Sequence, residues 1–454
     1  MKNFKDSVWK KNVTNVVKQI QEQEIKFVRL QFTDINGIIK NLAVNSKNIE
    51  SIFENGQSFD GSSITGYRPI EESDMVLYPD PTTFAVLPWR PKEKSSCRLI
   101  CDVYTPQNKR FDADPRYILE RAVEKASKTG YTFICAPELE FFIVKESENG
   151  GLPTPIDMAG YFDFHPGDLT DDLRREIADM AEPFGIEIEI SHHEVALGQN
   201  EIDFKYGEAL VTADRAITMK MVTKIVAARN GYIATHMPKP FAGINGSGMH
   251  IHQSLWNKDI TENLFYSDDA KNGFLSDVAR NFIGGELSQG RKMCAVLASW
   301  PNSYKRLVPG YEAPVYLAWA HKNRSPLIRV PNFGGRKGAA RCEIRCPDGS
   351  GNPYLQFAVL LAAGLDGIKN KIDPGDPVEL NVYHMSYDER KAKGIVSLPE
   401  SLKEAIDEME TSDLMHETLG DTAFENFLAE KRKEWDLFRM QVTEWEVNRY
   451  IKRL

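Results

Sequence analysis

Residues 24–107 alternate short apolar runs with turn residues: EIKFVRLQFTDING, IIKNLAV, TTFAVLPWRP and SCRLICDVYTP follow one another. Runs of that length, bounded by Gly, Pro, Asn and Asp, read as strands, and DING at 34–37 is a hairpin signal. The pattern predicts a small β-rich unit behind a short N-terminal helix, closed near residue 108 by the polar stretch TPQNKRFDADP. Asp114 can then cap a helix that has Pro115 at its first position and runs to Gly130. Strand-like and helical segments alternate beyond it. YTFICAPELEFFIV and IEIEISHHEVA read as strands, DLTDDLRREIADMAEPFG as a helix with an acidic first turn, and ADRAITMKMVTKIVAARNG as a helix closed by glycine. FAVLLAAGL (357–365) is too short to span a bilayer and reads as the buried side of a helix. SLPESLKEAIDEMETS and ENFLAEKRKEWDLFRMQVTEWEVNRYIKRL are amphipathic helical segments, suited equally to an intersubunit surface or to solvent with one buried stripe. The alternation suggests an α/β or α+β catalytic domain built on a large sheet.

Composition narrows the function classes. A chain of 454 residues affords two to four domains and a large core. A net charge of -9 and a pI near 5.6 give no global attraction to nucleic acid or to an anionic membrane. The N-terminal MKNFKDSVWKKNVTNV has no apolar core of a secretory signal, so a cytoplasmic location is expected. Six cysteines in this length are no disulfide scaffold. Cys97 and Cys101, like Cys342 and Cys346, are four apart without a nearby histidine, and read as reduced, partly buried thiols rather than a zinc site.

The candidate chemistry lies in carboxylates placed among apolar residues. Glu138 and Glu140 are two apart in APELEFFIV, so strand geometry sends both to one face, roughly 7 Å apart. Unless that face is a wet rim, the pair needs a compensating cation. The conflict recurs where Glu194 and Glu201 flank a bend in SHHEVALGQNEIDF, and where Glu343 sits between Arg341 and Arg345. Oxygen-rich sets suit Mg²⁺ or Mn²⁺, whereas zinc recruits more sulfur or imidazole. NGSGMHIHQS (245–254) offers His250 or His252 as a companion ligand, each equally readable as an ordinary strand histidine. Lys305, Arg306, Arg324, Arg329, Arg336, Lys337, Arg341 and Arg345 bring the opposite charge. Alone they read as surface; with the carboxylates they match the layout of phosphoryl transfer. No P-loop or Rossmann fingerprint is present. The residues by themselves point to a metal-dependent enzyme acting on phosphate- and carboxylate-bearing substrates.

Seven segments in order, FDGSSI (59–64), PELEFF (137–142), HHEVA…GQNEI (192–202), NGSGMHIHQSL (245–255), NSYKRLVPGYEAP (302–314), NRSPLIR (323–329) and CEIR (342–345), resemble the glutamine synthetase family, prokaryotic type I. The similarity runs from about residue 20 to the C-terminus. It implies an α+β, glutamine synthetase/guanido kinase-like fold: an N-terminal β-grasp-like domain with a leading helix (1–108) and a catalytic domain (109–454) whose curved antiparallel sheet is backed by helices. It implies ligation of ammonia to the side-chain carboxylate of L-glutamate by way of γ-glutamyl phosphate, with ATP as co-substrate and two or more Mg²⁺ or Mn²⁺ ions. The resemblance gives Glu140, Glu194 and Glu201 to one metal and Glu138, His250 and Glu343 to the other. His252, Ser254, Glu189 and Tyr206 fall to the nucleotide. Asn245, Gly246, Arg306 and Arg345 fall to glutamate, and Arg324, Arg329 and Arg341 to phosphate oxygens. Asp60, reaching in from a neighbouring subunit, serves ammonium, and Glu312 lies on a closing flap. The assembly implied is a homo-dodecamer of two stacked hexameric rings, joined in part by the C-terminal segment.

Some positions depart from the family pattern. PNFGGRKGAA (331–340) runs longer than in short-form relatives, and the surroundings of Tyr383 differ from the adenylylated motif, so no adenylylation is expected. Arg68 stands one position before the arginine of feedback-sensitive relatives, with Pro69 in its place, which leaves control by glutamine, 2-oxoglutarate or a nitrogen-regulatory protein open. An amine or polyamine ligase, or a non-catalytic homologue, would share much of this framework. The intact FDGSS and PGYEAP favour ammonia, and the complete ligand set favours catalysis.

Overall fold

A computed structural model describes residues 6–67, 73–91, 95–147, 150–269, 273–311 and 313–454. After a helix at Ser7–Glu22, capped by the Asp6 carboxylate, the first sheet is built from β1 (Phe27–Thr33), β2 (Ile39–Asn45), β3 (Gln57–Asp60), β4 (Asp74–Pro79), β5 (Ala85–Val86) and β6 (Ser96–Tyr104). The DING turn forms the expected hairpin. Asp34 Oδ1 accepts the N–H groups of Asn36 and Ile38 at 3.0 and 2.9 Å, and Gly37 takes the positive φ of +77° that the turn requires. The strand order is β2-β1-β6-β4-β3, with β1 and β6 parallel and the remaining pairs antiparallel.

Asp114 caps the next helix (Pro115–Lys128) by accepting the Arg116 N–H, and the chain enters a ten-stranded sheet. Its centre is β7 (Tyr131–Lys145), 15 residues long. Around it come β8 (Thr154–Pro155), β9 (Ile188–His193), β10 (Gln199–Phe204), β11 (Gly207–Glu208), β12 (Ile233–Thr235), β13 (Met249–Asn257), β14 (Tyr316–Ala320), β15 (Pro326–Arg329) and β16 (Cys342–Ile344). The path is β14-β15-β16-β13-β7-β10-β9, with β8, β11 and β12 also on β7. The antiparallel expectation holds except at β14 and β15, which run parallel. The strand–helix alternation along the chain therefore does not produce parallel βαβ units.

Helices back this sheet. FAVLLAAGL lies in a buried helix, Pro353–Asn370, against Asp277–Leu297. The two approach through glycines: a Cβ on Gly285 would sit 2.1 Å from the Ala363 carbonyl, and one on Gly367 2.1 Å from that of Asn281. Among the described residues no helix is long and apolar enough to cross a membrane. All six thiols are buried; Cys97 and Cys101 lie on β6, whereas Cys342 opens β16 and Cys346 follows it. Arg68, Pro69 and Glu312 fall outside the described residues.

One contiguous core runs through both sheets, and a buried ionic network crosses between them. The Arg116 guanidinium bonds Asp80 and Asp102 of the first sheet region at 3.1 and 2.7 Å and Asp214 of the helix Ala209–Arg229 at 3.0 and 2.9 Å. Tyr354 donates to Asp214 at 2.6 Å. Farther along the same boundary, Asn352 donates to the Asp34 and Ile35 carbonyls, and Lys431 to Asn36. Removing Arg116 takes away the cation shared by three buried carboxylates, of which Asp102 keeps Arg110 at 2.6 Å, so Arg116→Ala is expected to cost about 3–5 kcal/mol in denaturant unfolding.

A second buried group sits beneath β13. Glu286 accepts from Gln253 at 2.8 Å, and burial pushes its carboxyl up from 4.5 to about 8. The folded state thus holds a proton that the unfolded chain releases, so this contribution is fully present below the unfolded value and is lost as pH rises through about 8. Glu286→Gln is expected to flatten that decline, by up to about 1.4 kcal/mol per pH unit, in unfolding measured from pH 5 to 9.

Candidate active site

Register across the second sheet gathers the side chains. β7 pairs with β13 and β10 so that Glu138 faces His250 on one side and Asp203 on the other, while Glu140 faces Glu201. Glu201 in turn faces His192 on β9, and on the far flank Glu343 lies between His252 and Arg329. Two-residue periodicity puts Glu138 with Glu140, His250 with His252 and Ser254, and Glu201 with Asp203 on the same face. The bend between β9 and β10 brings in Glu194.

Two adjoining cavities result. The first, about 270 Å³, is lined by Glu138, Glu140, Glu194, Glu201 and Glu343 with His250, and by Asn245, Gly246, Arg306, Arg324, Arg329 and Arg345. The second, about 430 Å³, is lined by Glu189, Tyr206, His252, Ser254 and Arg341, among others, and shares Glu138 with the first. Every predicted metal, glutamate, nucleotide and phosphate residue thus lines one of them. Asp60 lines neither: it is exposed on the first sheet, where Ser62 donates to it through N–H and hydroxyl at 2.8 and 2.7 Å. Glu312 is outside the described residues, although Tyr311 and Ala313 beside it line the first cavity.

The electrostatics ask for cations. Burial, then Glu140, Glu138, Glu194 and Glu343, push the Glu201 carboxyl up to about 10. Asp203 is pushed up to about 9 by burial and by Glu201, and its Oδ1 is buried with no hydrogen-bond partner among the described residues. Burial also works to raise Glu138, but His250 and His252, bonded to it at 3.0 and 2.6 Å, hold it well below the usual carboxylate range. Arg329 and Arg345 offset Glu343 at 3.0 and 3.6 Å.

The donors fit hard divalent ions. Ligand atoms of Glu138, His250 and Glu343 lie within 4.8 Å of one another, the set expected for one metal. Around Glu194 and Glu201 the third donor at this spacing is His192, which bonds Glu201 at 3.1 Å. Glu140 is held nearby by Gly248 N–H and Gln199 Nε2 at 2.8 and 3.0 Å, with its other oxygen 3.8 Å from His250. Carboxylates with one imidazole per group are the chemistry of Mg²⁺ or Mn²⁺.

The residues expected to hold glutamate divide their work. Arg306 spends its Nη atoms on the carbonyls of Arg345, Cys346 and Pro347, and a Cβ on Gly248 would meet it at 2.4 Å. It braces the Asn245–Gly248 segment from within. His252 accepts from Arg341 Nε at 3.2 Å, so the wall between the cavities is itself cross-linked. Sequence reasoning missed His192, Asp203 and Tyr161. The first two were signalled by the doublet HHE and by two-residue spacing from Glu201. Tyr161, whose hydroxyl bonds Arg324, had no signal.

Comparison with known proteins identifies the family. Residues 24–106 match the family model for the glutamine synthetase β-grasp domain, and residues 112–450 that for the glutamine synthetase catalytic domain. The chain belongs to the glutamine synthetase family. It is 50% identical to the glutamine synthetase of Methanosarcina mazei, over 97% of this chain and 98% of the relative, and 50% identical to that of Thermotoga maritima, over 97% and 99%. That of Staphylococcus aureus is 45% identical over 97% and 98%. A solved ADP complex of GmaS superposes with a TM-score of 0.87 at 32% identity, covering 96% of this chain and 99% of the other.

If the carboxylate cavity holds divalent ions, Mn²⁺ at about 100 times its Kd should stabilise the chain by roughly 2.7 kcal/mol, seen as a raised unfolding temperature. Glu343→Ala should lose most of that gain; a wild type indifferent to Mn²⁺ contradicts the cation site.

Proposed function

We propose that this chain ligates ammonia to the side-chain carboxylate of L-glutamate with ATP, giving L-glutamine, ADP and phosphate. The observation that carries the reading is the pair of cavities meeting at Glu138: one acidic and ringed by arginines, the other sized and lined for a nucleotide. Glu138, His250 and Glu343 would hold one Mg²⁺ or Mn²⁺, and Glu140, Glu194 and Glu201 another, with His192 beside them. Bound there, such ions neutralise phosphate oxygens and orient the acceptor carboxylate.

The chain's own residues do the rest. Glu189, Tyr206, His252 and Ser254 take the nucleotide, and Arg341 lies where its phosphates approach the shared wall. Arg345 and the Asn245–Gly246 backbone hold glutamate, with Arg306 bracing that segment. Arg324 and Arg329 supply positive charge where the phosphoryl group passes to the γ-carboxylate, giving γ-glutamyl phosphate. Ammonia then attacks the acyl carbon and phosphate leaves. Water would compete for that intermediate, so the reaction requires its exclusion from the acyl carbon. Asp60, exposed and lining neither of this chain's own cavities, would serve the ammonium site of an adjacent subunit.

That arrangement requires an assembly, and we place the chain in a double-ring dodecamer with a domain boundary near residue 108. Met440, Val442, Trp445 and Ile451 of the C-terminal segment are 65%, 76%, 61% and 72% exposed. Apolar exposure of that extent marks a contact surface, which supports a role in joining rings.

Phosphate release should require ATP, glutamate, ammonium and a divalent ion together. Glu343→Ala should lower turnover by at least about 100-fold, and Asp60→Ala should raise the ammonium KM or lower kcat. Strong preference for an amine or polyamine over ammonium would overturn the choice of acceptor.

A further inference from the structure

Behind the carboxylate cavity lies a second cluster, Asp157, Asp168 and His193, whose ligand atoms also lie within 4.8 Å of one another and which is wholly buried. Every one of these groups already has strong protein partners. Asp168 accepts from Arg174 at 2.5 Å and from Thr170 N–H and hydroxyl at 2.8 and 2.6 Å. Asp157 accepts from Gly198 N–H at 3.0 Å, Leu169 N–H at 3.1 Å and His193 Nε2 at 3.1 Å. The other ring nitrogen of His193 donates to the Glu194 carbonyl at 2.7 Å. A carboxylate and a carbonyl can only accept, so both ring nitrogens donate. A cation here would have to displace these bonds and face Arg174.

The imidazole therefore acts as a tie rather than a ligand. Through it Asp157 is joined to the backbone of Glu194, and directly to Gly198 at the other end of the same bend. Glu194 N–H donates to the Gln199 carbonyl at 2.8 Å, and Phe162 N–H to that of His193 at 3.1 Å. Gln199 carries the constraint onward by donating to Glu140. Both Glu194 and Glu140 are thus reached from one buried pair, and Glu201 follows two residues after Gln199 on β10.

We propose that His193 and Asp157 are positioning residues for the metal site of Glu140, Glu194 and Glu201, fixing the β9–β10 bend so that these carboxylates converge. The inference rests on the ligand roles proposed above. Its effect is on ion affinity in the folded protein, and the residues themselves touch neither ion nor substrate.

The test is Mn²⁺ binding to the full-length protein, followed by electron paramagnetic resonance alongside thermal unfolding of the metal-free form. Asp157→Asn and His193→Ala should weaken one class of Mn²⁺ sites by about 10–100-fold at temperatures where the chain is folded. His193→Gln, which keeps one donor, should recover part of the loss; it and Asp157→Asn preserve buried volume and carry the test if His193→Ala does not fold. Folded variants that bind Mn²⁺ like the wild type, with only the unfolding temperature lowered, overturn the proposal. So does an additional tight Mn²⁺ lost on Asp168→Asn, which would make the cluster a metal site. Glu194→Ala separates the two readings: unchanged Mn²⁺ affinity there overturns the ligand assignment itself.

Discussion

Crowding of Glu138, Glu140, Glu201 and Glu343 on one face of the β7-centred sheet is the constraint to which the rest of the architecture answers. Like charges at cross-strand distance in a half-buried surface raise one another's proton affinity, as at Glu201. Arginines alone do not relieve them, because Arg329 and Arg345 are spent on Glu343. A site that is costly without cations is, by the same token, a site with high affinity for them. The cost is tolerable because it is spread over a sheet anchored by a 15-residue central strand and backed by a close-packed pair of helices. The glycines at 285 and 367 let those helices approach to backbone contact, which leaves the sheet little freedom to relax the repulsion by spreading.

The same reasoning explains why the first sheet is bound so firmly to the second. Asp60 lies exposed on the first sheet and lines neither cavity, so any part it takes in the chemistry depends on how rigidly that sheet is held to the catalytic one. Arg116, buried with Asp80, Asp102 and Asp214, supplies that rigidity. A buried ion network of this kind adds little net stability against an apolar replacement, but it tolerates few alternative geometries. Orientation, more than strength, is what such a joint contributes.

Much of this was legible in the chain itself. The DING turn, the Asp114–Pro115 cap, the FAVLLAAGL helix and the two-residue spacing of Glu138 and Glu140 each follow from local chemistry, and each element stands where that chemistry places it. The helix Asp277–Leu297 was not legible, because Gly284, Gly285 and Gly290 lower its intrinsic propensity and are explained only by the partner they touch. Nor was the parallel pairing of β14 with β15, which depends on register between distant segments. Within the site, carboxylates in apolar strands announce themselves because they violate patterning. Tyr161 violates nothing, sitting in an aromatic-rich loop (MAGYFDFHPG) where one more tyrosine draws no notice, and only its link to Arg324 reveals it.

The division between ligand and support follows the same line. Residues proposed to meet an ion line a cavity and are unbalanced in charge, as Glu201 is. Residues that aim them are buried and fully partnered, as His193 and Asp157 are, both under 2% exposed at the side chain. In sequence, HHEVA gives two adjacent histidines identical standing. Strand alternation separates them: His192 turns toward the carboxylates and His193 toward Asp157. One doublet thus supplies a donor on one face of the strand and the tie that holds the bend from the other.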